Sequence, residues 1–201
     1  MALEPQRRSF LGFLTFGLGA IFSAILGVPI VCYVIDPRHR RAPKSAMKLI
    51  DGVKLDDLRA TPVQGVIRDT RVDGWTLYPN DVLGRVWVVK RDQALPAFPD
   101  KAAVVAFNAR PQAEKDAFLL VFTTICPHLG CSVNLGGDGF LCPCHSARFT
   151  LAGAQAGVGN PARRGMDSLE WEIDEDDPEF NRLEVKYQRF EALKIEKNAI
   201  G

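Results

Sequence analysis

Six side chains that could bind a metal lie close together in the second half of the chain. Four of the five cysteines and two of the three histidines fall between residues 126 and 145. They occupy two motifs, Cys126-Pro127-His128-Leu129-Gly130-Cys131 and Cys142-Pro143-Cys144-His145. Thiolate and imidazole groups are the ligands that zinc and iron–sulfur clusters take from proteins. The two motifs therefore predict a metal centre held between two loops.

Three chemistries are compatible with these side chains. A structural zinc site would use four of the six as ligands, and a site made of the four thiolates would need neither histidine. Two disulfides without a metal would leave both histidines without a role. A two-iron cluster would take two thiolates on one iron and two imidazoles on the other, which leaves one cysteine of each motif for a disulfide.

The two motifs closely resemble those of the Rieske iron–sulfur protein family, C-x-H-x-G-C followed by C-x-C-H, with Leu129 included. The resemblance covers about residues 85–190 and implies a Rieske [2Fe-2S] cluster as the cofactor. It implies two thiolates on one iron and two imidazoles on the other, namely Cys126 and Cys142, and His128 and His145. It also implies a disulfide that joins the two loops through Cys131 and Cys144.

Further residues are expected to shape the surroundings of the cluster. Gly159-Asn160-Pro161-Ala162 resembles the proline-containing loop that covers the cluster in this family. The expected environment comprises residues of this loop and of the two motifs and their continuation: Leu129, Gly130, Pro143, Ser146, Ala147, Phe149 and Pro161. Leu129 and Pro143 are expected either to dock as apolar tips against a membrane partner or to serve loop packing alone.

Two hydroxyl groups that the resemblance implies are missing. In high-potential members the second motif continues Gly-Ser-x-Tyr after the histidine, whereas this chain continues Ser146-Ala147-Arg148-Phe149. Hydrogen bonds from such hydroxyls to sulfur stabilise the reduced state and raise the potential. We therefore expect a potential in the lower part of the Rieske range of about −150 to +300 mV. Such a potential would suit a low-potential quinol such as menaquinol.

The histidine ligands also point to the reaction. Imidazoles in place of thiolates reduce the negative charge of a cluster and make its reduction easier. Their outer nitrogens can titrate, so that one donor can give up an electron and a proton together. His128 and His145 are therefore the expected catalytic residues for oxidation of a hydroquinone, and the resemblance implies His145 as the hydrogen-bond partner of the quinol.

An uncharged segment near the N-terminus predicts a membrane anchor. Residues 9–35 carry no charged side chain. A helix of about 27 residues is about 40 Å long and exceeds the ~30 Å hydrocarbon core of a bilayer. No convincing cleavage site follows at Asp36-Pro37, so we expect a single uncleaved transmembrane helix over 10–35 rather than a cleaved signal.

The start of the chain resembles a bacterial export signal, and residues 1–9 are expected on the cytoplasmic side. Arg7-Arg8-Ser9-Phe10-Leu11 is similar to the twin-arginine (Tat) signal. The resemblance implies a folded domain on the periplasmic or outer face of the bacterial cytoplasmic membrane. Basic residues after the apolar segment favour the opposite orientation, but long folded domains translocate largely regardless of charge.

The remaining sequence predicts a hinge followed by one β domain. Residues 36–50 are largely polar and basic, with Pro37 and Pro43, and predict a flexible hinge linker. The Rieske domain is expected over 51–201, with a cluster-binding subdomain at about 123–163 inserted into an all-β, Rieske-type antiparallel sandwich. Apolar or alternating runs predict strands at 85–89, 103–107, 118–123, 139–141 and 183–190. The acidic segment 170–179 is expected as a solvated turn or a docking surface, and the sequence assigns no role to residues 51–84.

The resemblance implies the electron-transfer subunit of a respiratory quinol:cytochrome c oxidoreductase. Its expected partners are a cytochrome b-type membrane subunit and a c-type cytochrome in a dimeric multisubunit complex. An alternative is the small subunit of a molybdenum oxidoreductase resembling arsenite oxidase. A soluble Rieske ferredoxin is disfavoured by the apolar segment and the second cysteine pair, and a zinc-stabilised module remains a third class. A net charge of +1, from 25 basic and 24 acidic residues, offers no electrostatic basis for binding nucleic acid.

Overall fold

The computed structural model describes residues 4–39, 46–73 and 76–200. The described chain contains three α-helices: α1 (Glu4–His39), α2 (Lys101–Asn108) and α3 (Gln112–Lys115). Within the described residues, a 3-10 turn covers Leu55–Asp57. The strands are β1 (Lys48–Lys54), β2 (Val63–Asp73), β3 (Thr76–Lys90), β4 (Leu119–Thr123), β5 (Asn134–Gly136), β6 (Gly139–Cys142), β7 (Ala147–Thr150), β8 (Gln155–Ala156), β9 (Trp171–Ile173), β10 (Arg182–Val185), β11 (Arg189–Phe190) and β12 (Ala199–Ile200).

The helix α1 forms a unit separate from the β domain. Its segment Ser9–Val34 is long and apolar enough to cross a membrane, and none of this segment is buried within the chain. The hydroxyl of Thr15 donates to the carbonyl of Leu11 at 2.8 Å, so this polar group is satisfied within the helix itself. The expectation of one long apolar N-terminal helix is therefore confirmed.

Helix and strand extend into both ends of the predicted hinge. Helix α1 continues to His39 and β1 begins at Lys48, and both positions fall within the predicted range 36–50. Residues 40–45 lie outside the described residues. The hinge function of this segment stays a prediction.

Antiparallel pairing builds three sheets in the β domain. The largest has the strand order β4-β3-β2-β1-β10-β9, and a smaller one has the order β5-β6-β7-β8. Strands β11 and β12 form a separate two-stranded sheet. Residues 51–84, to which the sequence assigned no role, supply much of β1, β2 and β3 and thus the middle of the main sheet. The fold is mostly β with a small sheet near the cysteines, as predicted.

The strand β3 forms a wall between two cores. Val86, Trp87, Val88 and Val89 are all buried. Because side chains alternate between the two faces of a strand, Val86 and Val88 pack in the main core and Trp87 and Val89 in a second one. The second core also contains Cys126 and Cys142. The central sheet therefore supports the cysteine-containing loops directly.

Two strand predictions are wrong. The run 183–190 forms two strands, β10 and β11, in different sheets. The run 103–107 lies in helix α2, which begins after Asp100 because the Asp100 carboxylate accepts a hydrogen bond from the Ala103 N–H at 2.9 Å. Val104 and Phe107 are buried three residues apart on one helix face. A run of five apolar residues is too short for its periodicity to separate a strand from a helix.

The acidic segment 170–179 is also not the solvated turn expected from its sequence. It begins as strand β9, and the carboxylates of Asp174 and Asp177 are largely buried. Asp174 pairs with Arg182 at 2.9 Å, and the Asp177 carboxylate accepts from the backbone N–H of Asn181 at 2.7 Å. These carboxylates are therefore bound within the domain.

Candidate metal centre

The first cysteine motif forms a closed loop between β4 and β5. The N–H of Cys126 donates to the carbonyl of Cys131 at 2.7 Å, and the N–H of Gly130 donates to the carbonyl of Cys126 at 2.9 Å. Gly130 has a φ of +79°, which a residue without a Cβ adopts at low cost. These bonds bring the two cysteines of the motif to the base of one tight loop.

The second motif forms the turn of the β6–β7 hairpin. Cys142 and Ala147 pair across this hairpin, so residues 143–146 make the connection. Ser146 has a φ of +57°, in the left-handed region where the resemblance places a glycine. The hairpin thus fixes one cysteine in a strand and presents Cys144 and His145 in an exposed turn.

Burial separates the four cysteines into two kinds. Cys126 and Cys142 are each only 1 % exposed and belong to the second core. Cys131 is partly buried and Cys144 is exposed. The sulfur atoms of Cys131, Cys142 and Cys144 lie within 4.8 Å of one another, and all five cysteines of the chain, each within the described residues, are unbridged.

The surroundings of the buried thiols disfavour their charge. Burial, together with the neighbouring Cys142 thiol, raises the pKa of the Cys126 thiol to about 12, although the backbone N–H of His128 acts in the opposite direction. A hydrogen bond with Cys131 is the main cause that raises the pKa of the Cys144 thiol. Buried thiolates need a compensating positive charge, which a bound iron supplies.

The two motif histidines lie against each other. Their ring centroids are 4.7 Å apart and the rings are nearly perpendicular, at 88°. His145 is exposed, whereas the Nδ1 atom of His128 is buried and has no hydrogen-bond partner among the described residues. An unpartnered buried nitrogen is costly unless it binds a metal or another group. Two buried thiols and this nitrogen fit an iron–sulfur cluster held by cysteine and histidine.

The proline-containing loop is attached to the hairpin of the second motif. The side-chain amide of Asn160 donates to the carbonyl of Arg148 at 2.5 Å and to that of Ala156 at 3.1 Å. Its oxygen accepts from the N–H of Ala162 at 3.0 Å. Pro161 is partly buried between these contacts. The loop is therefore held close to β7 and β8, as a cover for the site would require.

The residues predicted for the cluster environment divide into a surface and a core group. Leu129 is 50 % exposed, and Gly130, Pro143 and Ser146 are also exposed. Ala147 and Phe149 are fully buried in the second core. The apolar side chains of Leu129 and Pro143 therefore face solvent, whereas Ala147 and Phe149, which lack the hydroxyl groups, face the core.

Sequence reasoning missed the role of Trp87. Its indole N–H donates to the carbonyl of Val133 at 2.9 Å, just after the first motif, and its ring lies 5.6 Å from that of Phe140. This side chain therefore supports the first loop from the central sheet. The sequence did contain a signal for this role, namely a tryptophan within an otherwise aliphatic strand. A buried indole N–H needs a hydrogen-bond acceptor on a neighbouring segment.

Comparison with known proteins defines the class. The family model for the Rieske [2Fe-2S] domain matches residues 68–170, which is more than half of the chain. The chain belongs to this family, which confirms the predicted Rieske fold and [2Fe-2S] cofactor.

Three relatives are iron–sulfur subunits of a menaquinol:cytochrome c reductase or a cytochrome b6-f complex. The chain is 26 % identical over 175 residues to the menaquinol:cytochrome c reductase iron-sulfur subunit of Bacillus subtilis (strain 168), covering 85 % of this chain and 87 % of that protein. It is 24 % identical over 172 residues to the subunit with the same name in Geobacillus thermodenitrificans, covering 83 % and 85 %. It is 25 % identical over 153 residues to the cytochrome b6-f complex iron-sulfur subunit of Chlorobaculum thiosulfatiphilum, covering 75 % and 62 %.

Proposed function

We propose that the chain is the membrane-anchored electron-transfer subunit of a quinol:cytochrome c oxidoreductase. The observation that carries this proposal is that the ring centroid of the exposed His145 lies 4.7 Å from that of the half-buried His128, in the two loops that also contain the buried thiols of Cys126 and Cys142. Similarity to menaquinol:cytochrome c reductase iron–sulfur subunits over most of the chain supports it.

The proposed ligands are two thiols and two imidazoles. Cys126 and Cys142, both buried, would bind one iron, and His128 and His145 the other. The buried Nδ1 of His128, which has no hydrogen-bond partner among the described residues, is available to bind a metal. When bound, a cluster of this type exchanges one electron at a potential between about −150 and +300 mV.

The protein side chains would supply the contact with the quinol. His145 is exposed at the tip of the second motif, so its imidazole can accept a hydrogen bond from a hydroxyl group outside the domain. The exposed side chains of Leu129 and Pro143 offer apolar surface in the same two loops. An apolar rim around one polar group suits a quinol headgroup at a membrane partner.

We further propose that Cys131 and Cys144 form a disulfide in the exported protein. These two cysteines are the more exposed pair, and their sulfur atoms lie within 4.8 Å of each other. A covalent link between the two loops would hold both motifs at one site, and disulfides persist on the oxidising outer side of a membrane. The Tat-like signal supports export to that side.

Menaquinol is the proposed quinol. Ala147 and Phe149 place only apolar atoms at the two buried positions where high-potential members carry hydroxyls. Fewer hydrogen bonds to sulfur give a lower potential, and a lower potential suits a lower-potential donor. Two of the relatives are menaquinol:cytochrome c reductase iron–sulfur subunits.

Purification of the full chain from its membranes tests the proposal. We expect an iron–sulfur visible and EPR signal, co-purification with a cytochrome b-type subunit and a c-type cytochrome, and reduction of cytochrome c by added menaquinol analogue. Co-purification with a large molybdopterin subunit would instead identify a molybdenum oxidoreductase. A colourless protein that contains zinc would overturn the ligand assignment.

A further inference from the structure

The C-terminal end of the chain folds back towards the first cysteine loop. Strands β11 and β12 pair through Arg189 with Ile200 and Phe190 with Ala199. We name residues 189–200 the C-terminal hairpin. Phe190 is buried in the main core, which attaches the base of this hairpin to the domain. Residues 191–198 connect the two strands and belong to neither cysteine motif.

The turn of the C-terminal hairpin contacts the first motif through one backbone hydrogen bond. The N–H of Leu193 donates to the carbonyl of Pro127 at 3.0 Å. Pro127 lies between Cys126 and His128, two of the proposed ligands. Leu193 has a φ of +60°, so its backbone takes an uncommon conformation to make this contact.

The side chain of Arg164 bonds the turn of the hairpin to the domain. The Arg164 guanidinium donates to the carbonyl of Lys194 at 2.8 Å. It also donates to both carboxylate oxygens of Asp167, at 2.8 and 2.9 Å. The side chains of Arg164 and Asp167 are only 9 % and 3 % exposed. The bidentate pair fixes the guanidinium plane, and the third bond fixes the hairpin next to Leu193.

The contact with Pro127 reaches a sulfur through one rigid peptide group. The carbonyl of Pro127 and the N–H of His128 belong to the same planar unit. That N–H acts on the Cys126 thiol as a hydrogen-bond donor and lowers the pKa of this thiol. A donor at one end of a peptide group orients and polarises the donor at its other end. The bond from Leu193 therefore strengthens the bond from His128 to the sulfur.

We propose that the C-terminal hairpin is a positioning element of the metal centre, in which Leu193 fixes the Pro127–His128 peptide and Arg164 fixes the hairpin. The inference rests on the proposed function, because it takes Cys126 as a cluster ligand. Hydrogen bonds to a ligand sulfur stabilise the reduced cluster and raise its potential. Loss of the Leu193 donor lowers the potential.

The test compares two substitutions at one position in the full-length, cluster-loaded protein. Leu193→Pro removes the N–H and excludes a positive φ, whereas Leu193→Gly keeps the N–H and suits that φ. Redox titration followed by EPR is expected to show a downward shift of the midpoint potential for Leu193→Pro and the wild-type value for Leu193→Gly. Hydrogen exchange of the amides of residues 128–130 is expected to be faster in Leu193→Pro alone.

A second pair of variants tests the same role at another residue, in case Leu193→Pro prevents folding of the turn. Arg164→Lys keeps the charge beside Asp167, but one ammonium group cannot reproduce the three bonds of the guanidinium. It is expected to lower the potential and speed amide exchange in the same direction, while Arg163→Lys, at the exposed neighbouring position, leaves both unchanged.

The outcomes separate the two proposals. Wild-type potentials and exchange rates in both Leu193→Pro and Arg164→Lys, with normal iron content, would overturn the positioning role. A wild-type protein without a Rieske EPR signal would instead overturn the ligand assignment on which it rests.

Discussion

Ala147 lies directly opposite Cys142 across the β6–β7 hairpin, and the two residues are 0 % and 1 % exposed. A methyl group therefore stands beside a proposed ligand of the cluster. Phe149 lies two residues further along β7, on the same face, and is 1 % exposed. Both positions at which the resemblance implies a hydroxyl thus face the buried side of the site, where a hydroxyl could reach sulfur.

Restoring the hydroxyl groups should raise the midpoint potential. We expect Ala147→Ser and Phe149→Tyr each to stabilise the reduced cluster by hydrogen bonding to sulfur. A bond that is about 1 kcal/mol stronger in the reduced state corresponds to about 40 mV for a one-electron couple. Redox titration with EPR detection measures this change directly.

The same serine substitution at an exposed position provides the control for Ala147→Ser. Ala152 lies in an exposed turn, and Ala152→Ser should leave the potential unchanged. If Ala147→Ser and Phe149→Tyr both keep the wild-type potential with full iron content, the missing hydroxyls do not set the potential of this protein.

The three histidines of the chain should differ sharply in their effect on the cluster. His128→Ala and His145→Ala each remove a proposed iron ligand, so we expect loss of the visible and EPR signals of the cluster. His39→Ala should keep both signals, because His39 lies in helix α1, outside the β domain. Iron analysis and EPR of membranes that carry each variant provide the measurement. A normal EPR signal in either of the first two variants would contradict the ligand set.

Thiol accessibility should reveal the proposed disulfide. After denaturation without reductant, alkylation and mass spectrometry should label Cys32, Cys126 and Cys142 but not Cys131 or Cys144. Labelling of all five cysteines under these conditions would argue against the disulfide.

Removal of the proposed disulfide should also lower stability. The link would close a loop of about 14 residues, for which chain entropy gives about 3 kcal/mol. The double variant Cys131→Ser/Cys144→Ser should therefore unfold at a lower temperature and lose iron faster than the wild type. Cys32→Ser, a serine substitution in the apolar helix, is the matched control.

Much of the site could be predicted because it depends on side chains whose types and spacing are visible in the sequence. The two motifs identified the candidate ligands, and Ala147 and Phe149 followed from the spacing after His145. The contact between Leu193 and Pro127 could not be predicted, since it joins two backbone groups. Any residue except proline could donate that bond, so side-chain identity gives no signal.

The fold shows a similar limit. The four consecutive apolar residues of β3, Val86 to Val89, predicted a strand, and all four are buried because this part of the strand separates two cores. The run 103–107 looked similar, yet Asp100 caps it as a helix. Local composition alone cannot distinguish the two, because the difference depends on one capping hydrogen bond and on which core lies nearby.

The pairing of two glutamates in the main sheet should make stability depend on pH. Glu184 in β10 lies opposite Glu172 in β9. Burial is the main cause that raises the pKa of Glu184 above its usual value of 4.5, and Asp174 and Glu172 raise it further. Between that usual value and the raised one, the folded state binds more protons than the unfolded state. The free energy of unfolding therefore falls as pH rises through this window and stays lower above it.

Glu184→Gln should remove this penalty. At about pH 7.5 we expect the variant to be more stable by up to about 1 kcal/mol, the usual size of an unfavourable like-charge pair across two strands. At about pH 4, below the usual value of 4.5, the gain should largely disappear, because a carboxyl whose pKa is raised is then mostly protonated in the folded protein. Thermal unfolding of the full-length protein in detergent at both pH values measures the difference. Glu179→Gln, at an exposed position, is the control, and an equal gain at both pH values would mean that the Glu184 charge is not the cause.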